Sequence, residues 1–84
     1  MIVISSEFEY VSFRNINGQY HRLDGPAYIS GNFNEWYENG KLHRLDGPAV
    51  IDGNVLYWYI EGNYYKECNY YEKLKEMGLG YDKN

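Results

Sequence analysis

The amino-acid sequence predicts a mainly β protein, an antiparallel β-meander of hairpin repeats with a 22-residue period, closed by one short C-terminal α-helix. Three observations predict it: a string that occurs twice, Asn-Gly pairs set between strand-like segments, and a change of hydrophobic period near the C-terminus. The string Asn17-Gly18-Gln19-Tyr20-His21-Arg22-Leu23-Asp24-Gly25-Pro26-Ala27 returns 22 positions later as Asn39-Gly40-Lys41-Leu42-His43-Arg44-Leu45-Asp46-Gly47-Pro48-Ala49. The copies differ only at Gln19/Lys41 and Tyr20/Leu42. A third, worn copy aligns Glu61-Gly62 with the turn, sets Tyr65 where His stood and Lys66 where Arg stood, and lacks Asp-Gly-Pro.

Ile2 to Ile4 reads as a short edge strand, and residues 8–14, rich in aromatic and β-branched side chains, as the first full strand. Asn-Gly between such segments is the strongest local hairpin signal, because both central residues of a type I′ turn need φ > 0. Tight hairpins are therefore predicted at Asn17-Gly18, Asn39-Gly40 and Glu61-Gly62. Short strands follow at 19–22 and 41–44, and Leu-Asp-Gly-Pro then imposes a bend or bulge. Strands resume at 27–30 and 49–51, turn at Gly31-Asn32 and Asp52-Gly53-Asn54, and return over 33–38 and 55–60, so that each repeat is one two-stranded unit. Period-two geometry puts Trp58 and Ile60 on one face and Tyr57 and Tyr59 on the other. Trp36 and Trp58 lie one repeat apart, which predicts a column of stacked indoles.

Asn69 followed by Glu72 resembles a capping box and predicts a helix over 69–78. Tyr70, Leu74 and Met77, with Tyr71 beside them, share one side of it, and Gly78-Leu79 suits a left-handed C-terminal cap. The expected organisation is one domain over 1–84: hairpin repeats over 8–67, the capping helix, and a frayed tail over 79–84.

With 12 acidic and 8 basic residues and a net charge of −4, the chain lacks the clustered cations that nucleic-acid binding requires, and its acids are too sparse for a DNA mimic. Tyrosine dominates the aromatic residues, 11 against 3 Phe and 2 Trp, and a core this thin leaves some rings outside. Cys68 stands alone, so no internal disulfide or multi-cysteine metal site forms, and the expected compartment is a reducing cytoplasm. Nothing near Met1 reads as a signal peptide or a membrane span.

Residues 36–49, Trp36-Tyr37-Glu38-Asn39-Gly40 running into His43-Arg44-Leu45-Asp46-Gly47-Pro48-Ala49, resemble a tandem-repeat family of bacteriophages and large DNA viruses with the pattern WYxNGxxHRxDGPA. That family is similar to MORN-type β-hairpin repeats and to repeat antitoxin-like proteins of bacteria. The resemblance covers residues 13–66 and carries over to Trp36/Trp58, His21/His43, Arg22/Arg44, Asp24/Asp46, Gly25/Gly47 and Pro26/Pro48. It implies a β-hairpin binding scaffold without an enzymatic mechanism and, for a virus-borne copy, a role against a host protein.

His21, Arg22, Asp24, His43, Arg44 and Asp46 are residue types that do acid-base or metal chemistry. Residues copied identically into consecutive units do one local job twice, however, whereas an active site needs different groups converging asymmetrically. These six, with Trp36 and Trp58, are assigned to structure: Arg to Asp or carbonyl across the bend, His on a neighbouring Trp. Partner binding is assigned to Tyr20, Tyr28, Glu35, Tyr37, Tyr57, Tyr59 and Tyr64, since exposed tyrosines are enriched at interfaces and acidic neighbours suit a basic or mixed host-protein surface. The predicted function is a non-enzymatic, inhibitory interaction module with no cofactor and no metal. The alternative is a small-ligand or nucleotide-binding protein using the His and Trp repeat positions, and an uncovered sheet edge would admit a homodimer.

Overall fold

The structure, a computed structural model of the 84-residue chain, describes residues 2–5 and 9–79, with side chains from residue 9 onward. The strands are β1 (Ile2–Ser5), β2 (Tyr10–Phe13), β3 (Tyr28–Ser30), β4 (Phe33–Glu35), β5 (Tyr37–Glu38), β6 (Lys41–Leu42), β7 (Val50–Asp52), β8 (Val55–Ile60) and β9 (Asn63–Tyr65), followed by helix α1 (Glu67–Glu76). An antiparallel sheet runs in the order β1-β2-β3-β4-β7-β8-β9, with β5-β6 as a separate two-stranded ladder. The predicted class, a β-meander with one C-terminal helix, is the observed one. Phe8 and the tail over 80–84 lie outside the described residues.

The repeat contributes to two ladders instead of forming one two-stranded unit. Two-residue loops close the main-sheet hairpins at Gly31-Asn32 and Gly53-Asn54, where Ser30 faces Phe33 and Asp52 faces Val55. Past Glu35 the main ladder stops and the chain pairs with itself as β5-β6, closed by Asn39-Gly40 with φ of 50° and 81°. In the third unit β8 stays continuous and pairs with β9, closed by Glu61-Gly62 at 47° and 83°. The strands expected over 19–22 and 41–44 shrink to a bridge between Arg14 and Tyr20 and to Lys41–Leu42.

The first Asn-Gly departs from the two-residue turn. The Gly18 N–H donates to Asn15 O (2.9 Å) and the Asn15 N–H to Gln19 O (2.9 Å), which makes a three-residue loop with only Gly18 at positive φ. The Asn15 side chain is the cause, because its Oδ1 accepts from the Asn17 N–H (3.0 Å) and the Gln19 N–H (3.1 Å). The extra loop residue brings Phe13 to the place that Trp36 holds one unit later: His21 N–H donates to Phe13 O and His43 N–H to Trp36 O.

Successive units are joined by the same three hydrogen bonds at each junction. Arg22 N–H donates to Tyr37 O (3.0 Å), Gly40 N–H to Tyr20 O (2.9 Å), and Asn39 N–H to His21 Nδ1 (3.0 Å). One period on, Arg44 N–H donates to Tyr59 O (3.2 Å), Gly62 N–H to Leu42 O (2.8 Å), and Glu61 N–H to His43 Nδ1 (2.9 Å). The histidines thus hold the next unit's turn, in place of the expected packing on tryptophan. This tie also secures Glu61 at a positive φ, a conformation that residues other than Gly, Asn and Asp avoid.

Helix α1 starts at Glu67, two residues before the predicted cap. Lys66 is its N-cap and no side chain caps it, so the Asn69/Glu72 box does not form. Its C-terminus is as predicted: Gly78 at φ 80°, with Leu79 N–H to Leu74 O (2.9 Å) and Gly78 N–H to Lys75 O (3.0 Å). Tyr70 and Leu74 are buried against Ile60, with Leu45, Trp58, Tyr65 and Tyr71 around them, whereas Met77 turns outward. The core therefore sits at the third unit, between β8, β9 and the helix.

Candidate functional site

Residues directly opposite in antiparallel strands share a face. The row Ser12, Tyr28, Glu35, Val50, Tyr57 crosses five strands, β2, β3, β4, β7 and β8, on one face of the main sheet. Helix α1 packs on the other face, where Trp58 and Ile60 point. The structure brings the seven predicted partner-binding residues together along the helix-free face. Tyr28 meets Tyr20 at 5.7 Å between ring centroids, Tyr20 meets Tyr37 at 5.1 Å, Tyr59 meets Tyr64 at 5.6 Å and Tyr57 meets Tyr64 at 6.5 Å.

Tyr10, stacked on Tyr28 at 5.5 Å, and Phe33, edge-on to Tyr28 at 6.0 Å, extend the ring array beyond the predicted set. Strand alternation could have found Tyr10, which shares the parity of Ser12, and the pairing of Phe33 with Ser30 at the turn could have found the other. Arg14 lies over the Tyr20 ring at 4.4 Å. Ser12 is fully buried in this row, and its hydroxyl has no hydrogen-bond partner among the described residues.

Glu35 is the acid in the row. Its carboxylate accepts from the Tyr37 hydroxyl at 3.2 Å, and among the described residues no Lys or Arg forms an ion pair with it. Burial pushes its carboxyl above the ordinary 4.5, opposed by the Tyr37 hydrogen bond. Tyr37 is pushed up to about 12, first by burial and then by the Glu35 carboxylate beside it, with Tyr20 and Tyr59 adding to the effect. A phenol whose folded value exceeds its free value of 10.0 stabilises the fold below pH 10, and that contribution is lost as pH rises through about 12. Tyr37→Phe is therefore expected to remove a step near pH 12 from the phenolate absorbance titration and to flatten the alkaline loss of stability between pH 10 and about 12.

The repeat positions gather elsewhere. Arg22 Nε donates to Asp24 Oδ1 (2.9 Å), its Nη1 donates to Pro26 O (3.2 Å), and its guanidinium covers Phe13 at 4.1 Å. Arg44 repeats this on Asp46 (2.9 Å), Pro48 O (3.0 Å) and Trp36 (3.9 Å). The predicted pairing across the bend is observed, but the predicted indole column is not, because a guanidinium takes the face of Trp36 and Trp58 instead meets Tyr70 at 6.4 Å. The Arg22 guanidinium holds the Asp24 carboxyl below the usual range.

A groove of about 540 Å³ opens between the two bends, lined among others by Leu23, Trp36, Glu38, His43 and Leu45. A second of about 370 Å³ adjoins it at Glu38, His43 and Glu61. His21 and Trp58 line neither, so the groove gathers only part of the set assigned to a small ligand. Its arginines are engaged by carboxylates, Arg22 with Asp24 and Arg44 with Asp46, and His43 Nε2 lies 3.8 Å from Glu38. Among the described residues no three His, Cys, Asp or Glu side chains are placed to hold a metal ion, and no helix is long and apolar enough to cross a membrane. Comparison with family models, with curated proteins and with solved structures gives no match.

Proposed function

We propose that the protein is a non-enzymatic interaction module that binds a partner protein through the tyrosine face around Glu35. The observation that carries this reading is the aromatic array on the sheet face that the helix leaves open. Its rings are rigid and amphipathic, the chemistry enriched at protein interfaces, and Tyr57 and Tyr64 are the most open of the predicted set. The repeat motif, by contrast, is spent on holding bends and turns together. The resemblance to virus-borne repeats adds the host-directed, inhibitory role in a host cytoplasm, with a basic or mixed surface as the target.

Affinity capture from host lysate, read by mass spectrometry, tests this. The intact chain is expected to retain one protein reproducibly, and Tyr57→Ser/Tyr64→Ser to lose it while keeping its circular dichroism. Equal retention by the variant sinks the assignment of the face. The groove favours a second reading, a small ligand held at Trp36 and His43. A thermal shift with a metabolite, abolished by His43→Gln in a chain that still folds, would support that reading instead.

A further inference from the structure

Glu35 sits on the open face with its charge unanswered from within the described chain. A half-buried carboxylate loses hydration, and a single hydroxyl donor compensates only in part. Around it stand Tyr28, its direct cross-strand partner, Tyr37, its hydrogen-bond donor, and Tyr57, two strands further along the same row. Aromatic faces carry negative potential, so rings and carboxylate together favour a cation and disfavour an anion.

The fold itself shows which cation suits such rings. All three of its arginines lie over aromatic rings, Arg14 on Tyr20 at 4.4 Å, Arg22 on Phe13 at 4.1 Å and Arg44 on Trp36 at 3.9 Å. Arg22 and Arg44 pair at the same time with a carboxylate at 2.9 Å. A planar guanidinium stacks and donates in one pose, whereas an ammonium acts as a point charge that holds its water more tightly. The net charge of −4 points the same way.

Resting on the interaction reading above, we propose that Glu35, with the rings of Tyr28, Tyr37 and Tyr57, receives an arginine side chain of the partner protein. The guanidinium stacks on a tyrosine and donates to the Glu35 carboxylate, repeating from outside the arrangement that Arg22 and Arg44 make within. Glu35 is then the residue that selects the partner, and the outer tyrosines supply contact area.

Heteronuclear NMR of the full chain, titrated with N-acetyl-arginine methylamide and with the neutral citrulline analogue, tests this. The arginine probe is expected to give saturable shifts at Tyr28, Glu35, Tyr37 and Tyr57, citrulline none, and Glu35→Gln to weaken the arginine response at least about tenfold. Glutamine can still accept from Tyr37, so the rest of the spectrum should stay in place. Should that variant not fold, the arginine and citrulline titrations of the natural chain decide. Equal response to citrulline, undiminished binding by Glu35→Gln, or no saturable shift overturns the proposal. A partner capture lost in Tyr57→Ser/Tyr64→Ser but untouched by Glu35→Gln would leave the interaction reading standing and remove this one.

Discussion

Tyr70→Phe is expected to lower stability by about 2 kcal/mol, and Tyr70→Ala by about 4 kcal/mol with release of the helix. Tyr70 is fully buried, its hydroxyl donates to Arg44 O at 2.6 Å, and it accepts from the Gly47 N–H at 3.2 Å. Phenylalanine keeps the ring against Trp58 and Leu74 but withdraws that hydroxyl from a carbonyl and an amide at the second bend. Alanine also empties the centre of the small cluster that Tyr70 forms with Ile60 and Leu74. Urea unfolding measures both losses, and Trp58 emission should change with each because the Tyr70 ring lies 6.4 Å away. A drop below about 0.5 kcal/mol for Tyr70→Phe would show that the helix is not anchored through this hydroxyl.

This contact also explains where sequence reasoning missed the start of the helix. Asn69 and Glu72 satisfy the local pattern for a cap, but the chain turns helical at Glu67, with Tyr70 reaching back 23 residues to Gly47. A tertiary hydrogen bond outweighs a local one worth about 1 kcal/mol, and only the local one is written in adjacent residues. The histidines repeat the lesson. Their identity across copies marks them as structural, but the partner of His21 is an amide 18 residues ahead, a backbone atom that no side-chain pattern reveals. The first turn differs because a neighbouring side chain, Asn15, supplies the acceptor for the Asn17 amide. What was legible was local or periodic: the turns at Asn39-Gly40 and Glu61-Gly62, the Gly78 cap, the Arg-Asp bends, and the parity that sets Tyr57 and Tyr59 against Trp58 and Ile60. The tyrosine face was legible as a residue list, through composition and alternation. Glu35 belonged to that list, but its lack of an ion-pair partner among the described residues was not legible, because that depends on which strands become neighbours.

Arg44→Ala is expected to cost about 3 kcal/mol, summing a charge-assisted bond to Pro48 O, cover over Trp36 and a surface pairing with Asp46 worth less than the other two. Arg44→Lys should recover less than half of this, because an ammonium cannot cover the indole and fork to carboxylate and carbonyl together. The same bend explains its glycine: a Cβ on Gly47 would lie 2.8 Å from Arg44 Cζ, so Gly47→Ala should displace the guanidinium and destabilise by about 1–3 kcal/mol. Arg22→Ala is expected to cost less, since Phe13 replaces the indole under the guanidinium. Equilibrium unfolding orders these variants, and an Arg44→Ala protein as stable as the natural chain would refute the bend as the frame. The series also separates frame from face. Arg44 lies outside the row around Glu35, so its loss should reduce partner capture only as far as it unfolds the chain, whereas Glu35→Gln should reduce capture in a chain that remains folded.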